Sequence, residues 1–394
     1  MRRHFASRLL GLIAIVAPFG PGGCAEHAAE EAAPGPLAPP CETGGVVFEE
    51  TGTYLPRAEP PSERQLGEIE GVAVIGGTLY LARGAILGAV PVDRISGAAH
   101  VTEIWRSGRP DVTPSGPRAH GHDLLWFAEN DDYRLPLELW RASAGVAPTL
   151  LAVPADAVAI DGPTVFVADG SDLDSEQVVI RSGTAAASLS EVARLEGWSS
   201  GRGLLAQDRD ALYVSTRSNQ YTGAGVFRVA KADGAVTTLL TQTEGKGCTL
   251  IATDEGPDVF AACVSRRSAS KGDPGDYELV RVAKSGGART VVGPIKPPVS
   301  EQINFPVYKE GRWVHGVTWP GTAIVALDLE SGVQRDVVRP NVGRLTAFTK
   351  DGSCIYWATR ECRCSEMDER IGVCVAEECT NRIERTRQPE PSEP

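Results

Sequence analysis

The sequence predicts an all-β chain folded as a β-propeller. Three observations predict it: an aromatic-centred strand that recurs, a turn residue that follows each copy, and no sustained helical periodicity after the N-terminal segment. The recurring aromatics are Tyr80, Trp126, Phe166, Tyr213, Phe260, Trp313 and Tyr356, spaced 46, 40, 47, 47, 53 and 43 residues apart. Their strands read alike: LYLAR, LLWFAE, VFVAD, LYVST, VFAAC, RWVHG and IYWAT.

Each copy is expected to hold four short strands. An inner strand, such as Gly203–Leu205, leads into the aromatic strand; a loop, a third strand, a turn and a fourth strand follow. The turn glycines are Gly97, Gly145, Gly183, Gly234, Gly287 and Gly332, and Asn381 takes that place in the seventh copy. One such sheet cannot bury both faces alone. Copies stacked around an axis bury each sheet against its neighbours, and a period of 40–50 residues is what a blade requires. The reading is seven blades over residues 45–381, with six or eight as alternatives. Val46–Tyr54 is the N-terminal strand that pairs with the last blade and closes the ring.

Composition agrees. Gly and Pro number 43 and 28 of 394 residues, an excess that favours tight turns over a helical bundle. With 42% hydrophobic and 23% charged residues the chain is not disordered overall. A net charge of −12 argues against nucleic acid as a partner.

The clearest self-match is Arg228-Val229-Ala230-Lys231 with Gly234-Ala235, against Arg281-Val282-Ala283-Lys284 with Gly287-Ala288. Together with Tyr356-Trp357-Ala358-Thr359, which approximates a YWTD strand, this resembles the YWTD/NHL-like β-propellers of exported bacterial lipoproteins. The likeness covers roughly residues 65–381. It implies the fold and no particular activity.

Residues 1–23 read as a signal peptide: Arg2, Arg3 and Arg8 form a basic start and Leu9–Phe19 an apolar core too short to span a bilayer. Pro21-Gly22-Gly23-Cys24 is similar to a lipobox, in which Cys24 becomes the lipidated first residue. Residues 24–44 are rich in Ala, Glu and Pro and read as a tether; residues 382–394 read as a disordered tail. These features place the chain outside the cytoplasm, lipid-anchored in the cell envelope, at the outer membrane or facing the periplasm, as a monomer.

Export favours disulfides among the eight remaining cysteines, Cys41, Cys248, Cys263, Cys354, Cys362, Cys364, Cys374 and Cys379. Cys248 precedes an aromatic strand that carries Cys263, so those two are expected to pair. Cys41 is expected to pair with one of the five in the last repeat, locking the closure. The rival is zinc on Cys362, Cys364, Cys374 and Cys379, whose spacing lacks the usual C-x2-C hooks.

Candidate chemistry is sparse. Gly197-Trp198-Ser199-Ser200-Gly201 matches G-x-S-x-G, which is catalytic on a strand-to-helix turn; strands follow here, so it reads as a loop between blades. His120 and His122 share a side if extended, as a metal pair requires, and His315 is the further imidazole to suspect. Asp172 and Asp174 lie in an acidic loop, Asp169–Glu176, that offers oxygens to Ca²⁺ but lacks the EF-hand pattern.

The loops between second and third strands are long, and they include Asn130–Arg134, Arg217–Thr222, Ser265–Asp276 and Glu361–Arg370. Tyr133, Arg134, Arg217, Tyr221, Arg266 and Arg267 make that end the candidate binding face. The function expected is a non-enzymatic binding or scaffolding module for an envelope protein or glycan, without a cofactor. The alternative is a metal-dependent hydrolase, lyase or lactonase with Ca²⁺ or Zn²⁺ in the central channel.

Overall fold

The computed structural model describes Cys41 and residues 44–54, 67–92, 101–109, 112–130, 137–143, 146–170, 177–184, 189–199, 203–217, 225–241, 247–253, 256–266, 276–296, 307–318, 322–368 and 373–388. Seven sheets follow in chain order, antiparallel but for one two-residue parallel pairing in the third. The first strand, β1 (Gly45–Tyr54), belongs to the last of them. Blade 1 is β2 (Ile69–Ile75), β3 (Thr78–Arg83), β4 (Ile86–Pro91) and β5 (Thr102–Arg106). Blade 2 is β6 (Val112–His120), β7 (Asp123–Asn130), β8 (Glu138–Ser143) and β9 (Thr149–Ala152). Blade 3 is β10 (Ala157–Asp161), β11 (Thr164–Asp169), β12 (Gln177–Gly183) and β13 (Ser190–Glu196).

Blade 4 has three fragments where one inner strand is expected: β14 (Trp198–Ser199), β15 (Gly203–Leu204) and β16 (Ala206–Gln207). Its other strands are β17 (Ala211–Arg217), β18 (Gly225–Ala230) and β19 (Val236–Thr241). Blade 5 is β20 (Cys248–Thr253), β21 (Asp258–Arg266), β22 (Asp276–Ala283) and β23 (Thr290–Ile295). Blade 6 is β24 (Tyr308–Glu310), β25 (Trp313–Val317), β26 (Ile324–Asp328) and β27 (Gln334–Val338). Blade 7 is β28 (Arg344–Asp351), β29 (Cys354–Asp368), β30 (Val373–Arg387) and, on its outer edge, β1.

The core is seven separate seams, each an apolar cluster shared by two neighbouring blades. This is why the second strands read as near-continuous apolar runs. Alternate residues of one strand serve opposite seams. On β11, Val165 and Val167 face blade 2, while Phe166 and Ala168 face blade 4. On β17, Leu212 and Val214 face blade 3, and Tyr213 faces blade 5.

Blade 2 inverts this pattern. Trp126, aligned by sequence with the other aromatics, faces back to blade 1, and Phe127 faces forward to blade 3. Opposite Trp126 the register of β6 shifts between Ser115 and Arg118, a bulge that holds Gly116 and Pro117. The Pro117 ring packs where a side chain on Gly71 of β2 would have to lie, so that position admits only glycine. Trp126 packs with Trp105 and Trp140, the ring centroids 5.9 and 6.3 Å away.

The ring closes with strands from both chain ends. β1 pairs with β30 from Gly45 opposite Arg385 to Tyr54 opposite Glu377. The Cys41–Cys354 disulfide fastens the segment ahead of β1 to β29, across 313 residues. Asn381 is mid-strand, not in the expected turn. It is fully buried, and its Nδ2 donates to Glu50 Oε1 at 3.0 Å and to the Gly67 carbonyl at 2.7 Å. Glu50 also pairs with Arg83 of blade 1. The boundary expected at 381 is six residues short: β30 continues to Arg387, because Ile383 and Arg385 are buried on alternate positions.

The segment Glu361–Arg370, expected as a loop, is strand as far as Asp368. Beyond Arg360, where β28 ends, β29 and β30 run on as a paired arm. Cys362–Cys379 and Cys364–Cys374 staple it. The cross-strand disulfides explain how a charged, Cys-rich stretch with no apolar alternation holds two strands together. The four cysteines considered for zinc are therefore consumed as disulfides.

Candidate ligand pocket between the inner strands

The inner strand of blade 4 leaves its own sheet and returns. Trp198 and Ser199 pair with Arg217 and Thr216 of β17. Gly203 and Leu204 instead run parallel to Ala157 and Val158 of blade 3, and the Leu205 amide donates to the Val158 carbonyl at 2.7 Å. Ala206 and Gln207 are back on β17, opposite Tyr213 and Leu212. On β17 the axial-side pairing therefore comes in two pieces, Leu212 and Tyr213 with β16 and Thr216 and Arg217 with β14. Gly197, at φ +88°, starts it, and the glycines at 201 and 203 follow.

A cavity of about 260 Å³ fills the gap. Residues 205–207 and 213–215 of blade 4 form one side. Residues 249–253 of blade 5, Val307 and Lys309 of blade 6, and Ala157 of blade 3 form the rest. The Cys248–Cys263 disulfide, with Cα atoms 4.1 Å apart, ties the start of β20 to β21 directly beside Thr249.

The cavity lining includes Gln207, Ser215, Thr249, Thr253 and Lys309 among apolar residues. Gln207 Nε2 donates to the Ile160 carbonyl at 2.9 Å, which fixes the orientation of the amide. Gln207 Oε1 is buried and accepts no hydrogen bond in the structure. Ser215, Thr249 and Thr253 add hydroxyls, and Lys309 is an exposed cation. Among the described lining residues there is no imidazole, thiol or carboxylate.

The Tyr213 hydroxyl is committed elsewhere: it donates to Asp208 Oδ2 at 2.7 Å. Burial and that bond push the Tyr213 phenol up from its ordinary value. Burial also pushes the Asp208 carboxyl up, but hydrogen bonds from Lys284, Tyr213 and the amides of Asp210 and Ala211 outweigh it. They hold Asp208 well below the usual carboxylate range.

The candidates named from sequence fall in several places. Arg217 and Arg266 end β17 and β21, so both lie at the strand ends from which the second-to-third-strand loops depart. Tyr133, Arg134, Tyr221, Arg267, Asp172, Asp174 and Cys24 lie outside the described residues. Asp169, at the start of the acidic loop, is paired with Arg181 at 2.9 Å.

His120 and His122 are not an extended pair. Gly121, at φ +61°, makes a tight turn between β6 and β7, with His120 opposite Asp123. His315 is buried within blade 6, and burial and the Lys350 ammonium push its pKa down. Among the described residues the three imidazoles do not form one ligand set. The group with metal-ligand spacing is Cys362, Glu377 and Cys379, whose two sulfurs are bonded to each other. Ser199 sits on a strand fragment with strand following, not on a strand-to-helix turn.

Gln207, Thr249, Thr253 and Lys309 went unnoticed in the sequence. The available signal is inner-strand polarity: LLAQ, CTLIAT and VYKE carry polar residues where blades 1 and 3 have GVAVI and AVAI.

No family model matches the chain, and no curated protein does. Solved structures do. A catalytically inactive virginiamycin B lyase from Staphylococcus aureus, crystallised with quinupristin, is similar over 84% of this chain and 99% of its own, at 11% identity and a TM-score of 0.50. A puromycin-hydrolyzing peptidase from Mycobacterium tuberculosis is similar over 75% of this chain, at 16% identity and a TM-score of 0.50. The match spans about half of that peptidase, 49%. At such identities the likeness shows the fold alone: this chain is a seven-bladed β-propeller.

Proposed function

We propose that this chain is a non-enzymatic binding module of the bacterial cell envelope, lipid-anchored through Cys24, that holds an envelope protein or glycan. The observation that carries the reading is the make-up of the axial cavity. Its described lining offers hydrogen-bonding groups, one cation and apolar wall, and no imidazole, thiol or carboxylate to run acid–base or nucleophilic chemistry. Tyr213 and the neighbouring Asp208 are tied to each other and to Lys284. Four disulfides are in keeping with an oxidising compartment.

The test is purification of the tagged full-length protein from its native envelope in mild detergent, with mass spectrometry of what accompanies it. One glycan or envelope protein at a fixed ratio to the chain supports the proposal. Protein that returns alone with one Ca²⁺ or Zn²⁺ per chain, lost on His122→Ala, supports the metal-dependent enzyme instead.

A further inference from the structure

A guanidinium lies on one of the arm's disulfides. Arg360 and Cys362 are two apart on β29 and share a face of the sheet, and Cys379 of β30 stands directly opposite Cys362. Arg360 Nε is 3.2 Å from Cys362 Sγ, and its Nη2 is 3.4 Å from Cys379 Sγ. Arg360 is buried, with the Tyr54 ring centroid 4.6 Å from its guanidinium carbon and Glu68 at 3.7 Å. On β1 the residue opposite Cys379 is Gly52, which adds no side chain there.

The two sulfurs differ in access. Cys362 reaches solvent, and Cys379 is fully buried. An incoming thiolate attacks the accessible sulfur along the S–S axis and expels the other as a thiolate. The more stable the leaving thiolate, the faster it leaves, and a cation beside it supplies that stability. Here the cation sits at the buried, leaving sulfur. The opposing charge is Glu377, whose Oε2 is 3.9 Å from Cys379 Sγ, further than either guanidinium contact. Two other disulfides each lack one part of this arrangement. Cys248–Cys263 is buried at both ends. Cys364 is exposed, but carbonyl oxygens lie against that bond, Glu366 at 3.2 Å from Cys364 Sγ and Ala376 at 3.0 Å from Cys374 Sγ, and these favour a thiol over a thiolate.

We propose that Cys362–Cys379 is a thiol–disulfide exchange site whose substrate is a thiol. The substrate thiolate attacks Cys362 Sγ. A new S–S bond forms there, the Cys362–Cys379 bond breaks, and its electron pair leaves with Cys379 as a thiolate beside Arg360. A second substrate thiol that attacks the mixed disulfide departs as the oxidised substrate disulfide and leaves both cysteines reduced. Two electrons thus pass from two thiols to the arm. The site goes beyond the binding-module reading and does not depend on it.

The experiment exposes the full-length protein in detergent micelles to a small excess of reduced glutathione without oxygen. Timed samples are quenched in acid, denatured, alkylated with N-ethylmaleimide and mapped by mass spectrometry. Wild type is expected to carry glutathione on Cys362 and the alkyl label on Cys379 before any other disulfide opens. Arg360→Gln is expected to slow that step about three- to tenfold, and Glu377→Gln to speed it. Thermal melting checks the fold of each protein. Glu377 is half-buried on the arm, so its variant keeps the test alive if Arg360→Gln does not fold. A bond that opens only because the arm loosens would respond to both variants in the same direction. Reaction first at Cys364 or Cys374, or variants that leave the Cys362 rate unchanged or shift it together, overturns the proposal.

Discussion

The Lys284 ammonium lies 5.6 Å from the centroid of the Tyr213 ring, and 2.9 Å from the Asp208 carboxylate to which Tyr213 itself donates. One seam earlier Lys231 repeats the arrangement, 5.7 Å from the Phe166 centroid and 2.9 Å from Asp161. This is the physical content of the R-V-A-K repeat. The lysine after the third strand of one blade reaches back over the second-strand aromatic of the blade before it, to the carboxylate in or beside that blade's first turn.

Replacing Lys284 by Met therefore costs more than replacing Lys231 by Met. Asp208 is a quarter exposed and Asp161 half exposed, so solvent screens the second pair more. We expect about 1–2 kcal/mol for Lys284→Met and under about 1 kcal/mol for Lys231→Met, by urea unfolding. The Lys284 contribution also has a pH signature. The folded Asp208 carboxyl lies below its unfolded value, so its stabilisation is full above about pH 4 and is lost as pH falls from there. Lys284→Met flattens that acid limb.

His315 gives a second pH window. Its folded pKa is below the ordinary value of 6.5, so the stability tied to its neutral form is full above pH 6.5 and declines as pH falls through the folded pKa. Wild type is expected to melt at progressively lower temperature below pH 6.5. A His315→Gln protein that keeps the same slope would show that the slope arises elsewhere.

Closure and arm separate by experiment. Removing Cys41–Cys354 by paired Ser substitution is expected to destabilise by about 2–5 kcal/mol, since that bond closes a loop spanning nearly the whole ring. Paired substitution of Cys364 and Cys374 removes a bond that closes only a ten-residue separation in the arm and is expected to shift global melting little. The two melting curves, run side by side, decide it.

The C-terminal strand is structural to Arg387. Ile383→Ala, at a fully buried position in the seam between blades 7 and 1, is expected to cost about 2–4 kcal/mol in denaturant unfolding. Truncation after Asn381 is expected to cost more, because Arg385 and its bond to the Val92 carbonyl go with it.

Blade number and ring closure were legible because every second strand must feed two seams, and that leaves a two-residue alternation around each aromatic. The inner strand of blade 4 was not legible: GWSSGRGLLAQ has the composition of a loop, and only the pairing of Gly203 with Ala157 shows where it goes. The inversion at Trp126 was hidden because Phe127 beside it is equally apolar. Asn381 looked like a turn residue because its burial depends on Glu50, 331 positions away. The arm looked like a loop because its strands are stapled by disulfides rather than by an apolar face.

The central claim is that the detour in blade 4 opens a ligand site. It is tested most directly by a variant that fills the cavity, Thr253→Tyr, purified from the native envelope beside wild type, with melting temperature as the fold control. The account predicts that wild type carries its glycan or protein partner and that the filled variant, equally folded, comes out without it. The same partner at the same ratio on both proteins would contradict the claim.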